Sequence, residues 1–252
     1  MKNVLFYAVL FAFLLISGCT GLLDAPQPEP VEPGPAPEAE LTEPLLPQPA
    51  PDSEEEPPRE PVEIEGLVLV SDLDDSIILD LKYATADNFT GEQVYPVAVA
   101  AINKETGLRF LKAVEIFRRD GYTVKLWDAY RPLSASHQLW ASCPDPRYVI
   151  KPEDPPPTSG FRPRHNNGMC VDITLVDSNG NELEMPTGFD DFTEKAAPDY
   201  PHVSEAARRN RDYLISVMES AGFQVARTEW WHFTDITGTP GPYLDVPLEA
   251  FS

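Results

Sequence analysis

Cations, cysteine and histidine are all scarce in this chain of 252 residues. Nineteen Lys and Arg stand against 41 Asp and Glu, a formal net charge of −22, which argues against nucleic acid as a partner. Three cysteines exclude a fold stapled by several disulfides. No internal repeat is present, so stacked-repeat architectures are excluded as well. Long apolar runs are missing too. The run from Val4 to Ile16 falls short of the roughly 20 residues that a spanning helix needs, which excludes a permanent membrane helix there.

What that run does offer is an export signal. Lys2 supplies a positive start, and residues 1–18 read as a signal peptide. The segment closes Leu15-Ile16-Ser17-Gly18-Cys19, which resembles the bacterial lipobox, where cleavage before the cysteine leaves that residue to carry the lipid. The expected product is extracytoplasmic and anchored to a membrane through lipidated Cys19. Residues 20–65 are rich in proline and acidic residues and poor in aromatic and β-branched ones. Such a stretch cannot bury enough apolar surface to offset its ordering entropy, so an extended, solvated tether is expected. More than half of the net charge sits there, opposed only by Arg59. The charge therefore describes the tether and not a site.

Residues 66–252 suffice for one well-buried domain. Ile77, Leu79 and Leu81 alternate like a strand. Leu108, Leu111, Val114 and Phe117 recur at threes before Gly121, predicting an amphipathic helix over 104–120. Alternation predicts strands at 123–127 and 170–175, the second with Val171, Ile173 and Leu175 inward and Asp172 on the other side with Cys170 and Thr174. Helices are expected over 134–140 and 204–220, and an aromatic strand over Thr228–Phe233. Seven prolines between Pro144 and Pro163 mark a long surface loop. Intermixed helices and strands indicate an α+β domain. With Cys19 set aside, Cys143 and Cys170 form either one disulfide or two free thiols; spacing leaves both open.

Two short motifs carry chemistry. In His165-Asn-Asn-Gly168-Met-Cys170-Val-Asp172 a histidine and a carboxylate stand seven apart at a loop-to-strand junction. They meet two of the three N/O ligand requirements of a catalytic zinc, and Gly168 lets the backbone turn between them. In Glu229-Trp230-Trp231-His232 the two polar residues would face opposite ways on a regular strand, so a joint role demands a bulge, a twist or a strand end. Together the four residues, in an exported protein, support a mononuclear zinc hydrolase. His137 and His202 read as surface or packing residues.

The order Tyr83-Ala-Thr-Ala-Asp87-Asn-Phe-Thr-Gly91, Leu126-Trp-Asp128-Ala-Tyr130-Arg131-Pro132, His165-x-x-Gly-x-x-x-Asp172, Phe189-Asp190 and Glu229-Trp-Trp-His232 resembles the D-alanyl-D-alanine dipeptidases associated with vancomycin resistance. The resemblance covers nearly all of residues 77–234. It implies the hedgehog and D,D-peptidase type of fold: a mainly antiparallel sheet with packed helices and a metal cleft over the sheet. It implies one Zn²⁺ per chain on His165, Asp172 and His232, with Glu229 as general base towards the attacking water and later as acid towards the leaving amine. Arg131 would stabilise the developing oxyanion, or pair with Asp128, or both. Asp190 would receive the ammonium group of a small D,D-dipeptide beside Tyr83, with Asp191 a neighbour in reach of the same role. Pro163 departs from the pattern, standing where the family commonly has a serine, and Cys170 stands where it has a small alanine. A D,D-carboxypeptidase acting on peptidoglycan stem peptides and a non-catalytic peptidoglycan-binding lipoprotein are the alternatives.

Overall fold

In the computed structural model, which describes residues 62–153 and 155–252, pairing begins a few residues before Gly66. β1 (Glu63–Ile64) and β2 (Leu67–Leu69) form a hairpin whose turn places Glu65 and Gly66 at φ 51° and 76°. β2 runs directly into the single-turn α1 (Val70–Leu73). β3 (Ile78–Leu79) follows, and β4 (Ala101–Asn103) then joins β2 to complete a three-stranded antiparallel sheet. Asn103 closes β4 and caps α2 (Lys104–Arg119): its side-chain oxygen accepts from the backbone N–H of Glu105 and Thr106. Two donors that a helix start leaves unpaired are thereby satisfied.

The remaining elements are β5 (Thr123–Asp128), α3 (Leu133–Ser142), β6 (Cys170–Val176), α4 (Glu205–Ser220), β7 (Phe223–Val225) and β8 (His232–Asp235). They complete a five-stranded sheet in the order β3-β5-β6-β8-β7, antiparallel throughout except for the β3–β5 edge. The domain is α+β with mainly antiparallel sheets, as expected. Val171, Ile173 and Leu175 of β6 belong to a core shared with Phe110 and Phe117 of α2 and Leu214 of α4. Each such fully buried side chain contributes about 1.5–3 kcal/mol. β6 is central and covered on both sides, so all seven of its residues are buried. Its alternation puts Asp172 and Cys170 on the face opposite that core.

One expectation is corrected and one open alternative is decided. The aromatic strand begins only at His232, because Trp230 and Trp231 form a turn in which both indoles are buried. Cys143 and Cys170 are free thiols: Cys143 is the C-cap of α3, whereas Cys170 lies inside β6 with its Sγ 3.4 Å from Thr234 Oγ1. The signal peptide, Cys19 and the tether up to residue 61 lie outside the described residues. Among the described residues no helix is long and apolar enough to cross a membrane.

Candidate active site

The site begins with strand register. Asp172 of β6 pairs directly with His232 of β8, so both side chains rise from one face of the sheet. His165 arrives from a single 3-10 turn, His165–Asn167, that ends at Gly168 with φ 68°. Glycine is required there twice over: the backbone is left-handed, and a Cβ would lie 2.5 Å from the Asn103 backbone nitrogen. The same nitrogen donates to the Gly168 carbonyl at 3.0 Å, which ties the turn to β4. Asn166 ties it to α3 as well, its amide donating to the Arg131 carbonyl and to Ser136 Oγ at 2.9 and 2.8 Å.

His165, Asp172 and His232 form the one His/Cys/Asp/Glu cluster of metal-binding type among the described residues. His165 Nε2 lies 3.1 Å from His232 Nδ1 and 3.4 Å from an Asp172 oxygen, and His232 Nδ1 lies 2.9 Å from the other. An ion with ligands at about 2.0–2.1 Å in tetrahedral array requires donor separations of about 3.3 Å, so these spacings fit one small cation. Tautomer chemistry agrees. His165 Nδ1 sits 2.6 Å from the Ala129 carbonyl, which can only accept, so Nδ1 carries the proton and the Nε2 lone pair faces inward. Two ring nitrogens facing each other at 3.1 Å repel unless a cation or a proton lies between them.

Charge follows the same geometry. Burial disfavours the charged form of Asp172, but the two imidazoles beside it outweigh burial and hold its carboxyl well below the usual range. Burial likewise opposes protonation of His165, and Asp172 reverses that effect. Glu229 departs in the opposite direction. Burial raises its carboxyl to about 7, with His232 opposing, a value suited to moving protons near neutral pH. Glu229 stands off the strand, just before the Trp230–Trp231 turn that leads into β8, so the opposed facing of a regular strand does not separate it from His232. The buried Trp230 donates backbone and indole N–H to the Ala196 carbonyl and Thr187 Oγ1, and the Trp231 carbonyl accepts from Ile173. The two tryptophans are the anchors that aim Glu229.

Arg131 and Asp190 complete the lining. Arg131 donates through Nε and Nη2 to Asp128 at 3.0 and 2.7 Å, so the pairing considered in the sequence exists while the guanidinium still borders the cavity. Asp128 is wholly buried and also accepts from Tyr95 Oη and the Ala129 N–H. A register shift between Leu126 and Asp128 turns it towards this network. Sequence reading saw Asp128 only as a partner for Arg131. Its role in fixing the segment that supplies the His165 acceptor needed the bulge to be seen. Asp190 accepts from Tyr83 Oη at 3.0 Å and adopts φ 55°, one of two left-handed non-glycine residues among those described. Burial first, then Asp172, raises its carboxyl well above the usual range. Asp190, and not Asp191, lines the cavity, which has a volume of roughly 400 Å³ and also takes in Pro163 and Cys170. His137 and His202 are exposed and take no part in this lining.

A sequence model of the D-Ala-D-Ala dipeptidases matches residues 63–249. The chain belongs to the D-Ala-D-Ala dipeptidase family. It is 39% identical over 173 residues to the D-alanyl-D-alanine dipeptidase of Escherichia coli (strain K12), covering 69% of this chain and 86% of that one. To the D-alanyl-D-alanine dipeptidase of Enterococcus faecium it is 31% identical over 200 residues, covering 73% and 98%. A D-alanyl-D-alanine dipeptidase of Enterococcus faecalis (strain ATCC 700802 / V583) is 32% identical over 201 residues, covering 72% and 95%. As a dipeptidase of this family the protein is an enzyme of the metallopeptidase class, and the clustered His165, Asp172 and His232 are the residues able to hold its metal.

Proposed function

We propose that this protein hydrolyses D-Ala-D-Ala or a similar D,D-dipeptide with one Zn²⁺ held by His165, Asp172 and His232. The observation that carries the reading is a single cavity in which those three residues, Glu229, Arg131 and the Tyr83–Asp190 pair all meet. Zinc in that position would polarise the scissile carbonyl and acidify water. The protein residues do the rest. Glu229, with its carboxyl near 7, accepts a proton from the attacking water and returns it to the leaving amine. Arg131, its fork fixed by Asp128, presents permanent positive charge to the oxygen on which negative charge develops. Asp190 receives the ammonium group of the dipeptide. An ammonium there compensates a carboxyl that burial otherwise keeps from ionising, and a peptide extended at its amino end brings no such charge.

The test is turnover of zinc-loaded protein on D-Ala-D-Ala, L-Ala-L-Ala and a stem pentapeptide, beside Glu229→Gln. Cleavage of the D,D-dipeptide alone, lost in Glu229→Gln and on treatment with a chelator and restored by zinc, is expected. Cleavage of the pentapeptide alone would convert the reading to D,D-carboxypeptidase, and full activity in Glu229→Gln would remove the base. We further propose that residues 1–18 are cleaved and that Cys19 carries a lipid. The tether then ends before β1 (Glu63–Ile64), and residues 20–61 hold the catalytic domain outside the cytoplasm, where it serves cell-wall turnover or dipeptide use. The lipobox-like Leu15–Cys19 segment and the acidic, proline-rich stretch after it support this. Incorporation of labelled palmitate into wild type but not Cys19→Ala is the expected result; equal labelling removes the anchor.

A further inference from the structure

The two histidines of the metal cluster are held differently. A metal-bound imidazole keeps its orientation and tautomer through the hydrogen bond of its outer ring nitrogen, ordinarily to a carboxylate, a backbone carbonyl or water. His165 follows that rule through Ala129. His232 does not: its Nδ1 faces Asp172 and His165, and its Nε2 meets the Thr234 hydroxyl at 3.3 Å. That hydroxyl in turn lies 3.4 Å from Cys170 Sγ. Register makes the arrangement a square. Cys170 pairs with Thr234 and Asp172 with His232 on adjacent antiparallel strands, so all four side chains stand on one face. Cys170 is 1% exposed.

A hydroxyl has one proton and can serve Nε2 in two ways. With its proton directed at Nε2, the ring carries its own hydrogen on Nδ1, the atom that faces the cluster, and cannot ligate there. With its proton directed elsewhere, a lone pair accepts from Nε2–H and the Nδ1 lone pair is free for a cation. Cys170 Sγ is the neighbour placed to take that hydroxyl proton. We propose that Cys170 and Thr234 are positioning residues for His232: the sulfur orients the Thr234 hydroxyl, and the hydroxyl fixes the ring with Nδ1 towards the metal. The inference rests on the zinc reading above.

Zinc affinity of the full-length protein, read by competition with a chromogenic chelator, tests it. Cys170→Ala and Thr234→Val should each weaken zinc about 10-fold or more, while Cys170→Ser, whose oxygen accepts the same proton, should stay within about threefold of wild type. The double variant Cys170→Ala with Thr234→Val should be no weaker than the weaker single, because one relay is broken once. In the zinc-loaded protein the His232 Nε2–H proton should exchange slowly by NMR in wild type and Cys170→Ser and rapidly in Cys170→Ala. Wild-type affinity in Cys170→Ala overturns the proposal, as does a Cys170→Ser variant as weak as Cys170→Ala, which would assign the effect to packing. If Thr234→Val fails to fold, the Ala and Ser variants at 170 decide between these outcomes. Wild type that binds no zinc defeats the zinc reading and this inference with it; wild type and variants that all bind equally defeat this inference alone.

Discussion

Glu229→Gln should inactivate the zinc-loaded enzyme and, at alkaline pH, make the metal-free protein more stable. Burial raises the Glu229 carboxyl from its ordinary 4.5 to about 7. A group whose folded pKa lies above its unfolded one contributes stability that is complete below the unfolded value and is lost as pH rises through the folded value. For Glu229 that window is 4.5 to 7. At about 1.4 kcal/mol per tenfold, the shift corresponds to a ceiling of about 3 kcal/mol at pH 8.5. Solvent entering the cavity lowers the figure, so a gain of about 1–3 kcal/mol is expected for glutamine, which has no charge to bury. With an m-value of about 2 kcal/mol/M, the urea midpoints should differ by about 0.5–1.5 M at pH 8.5 and converge towards pH 4. Chelator-treated wild type and variant should be unfolded side by side at both pH values. They share every other titrating group, so the change in the gap isolates Glu229. Added zinc should shrink the gap, because a cation nearby favours the carboxylate. Equal gaps at pH 4 and pH 8.5 would refute the reasoning.

Arg131→Lys keeps a positive charge but cannot make the two-pronged contact with Asp128, so kcat of the zinc-loaded enzyme should fall about 10²–10³-fold; an unchanged kcat in steady-state assay counts against an oxyanion role. Asp190→Asn should cut kcat/KM for D-Ala-D-Ala about 10–100-fold, the loss expected for one charged hydrogen bond. The already poor N-acetylated dipeptide should change little, and parallel losses on both substrates would dissociate Asp190 from the ammonium group. Gly168→Ala puts a Cβ against the Asn103 backbone and Leu67 in a left-handed conformation, so urea unfolding should show a loss of about 2–4 kcal/mol; wild-type stability would mean that the turn relaxes freely.

The long periodic elements were legible because one face of each is buried. α2, α4, β5 and β6 lie within a few residues of where the apolar spacing puts them. The 228–233 segment was misread as strand because its aromatic density mimics a buried strand, whereas Trp230 and Trp231 fill the core from a turn. At the site, the histidines, Asp172 and Glu229 announced themselves by type and spacing, and the family resemblance added Arg131, Tyr83 and Asp190. What could not be read was support. The Ala129 carbonyl is chemically anonymous in a sequence, Asn166 looks like any loop residue, and the contact of Cys170 with Thr234 depends on a pairing register between segments 64 residues apart.

β6 carries the metal-site carboxylate and the hydrophobic core on alternate residues of one strand. Sliding it by one position against β8 would send Asp172 into the oil and lift Ile173 into the cleft. Such a molecule would be compact and still without a metal centre. Folding quality and catalytic competence thus depend on the same alignment, and the metal bound by a preparation should track the fraction of chains in which the sheet closed in register.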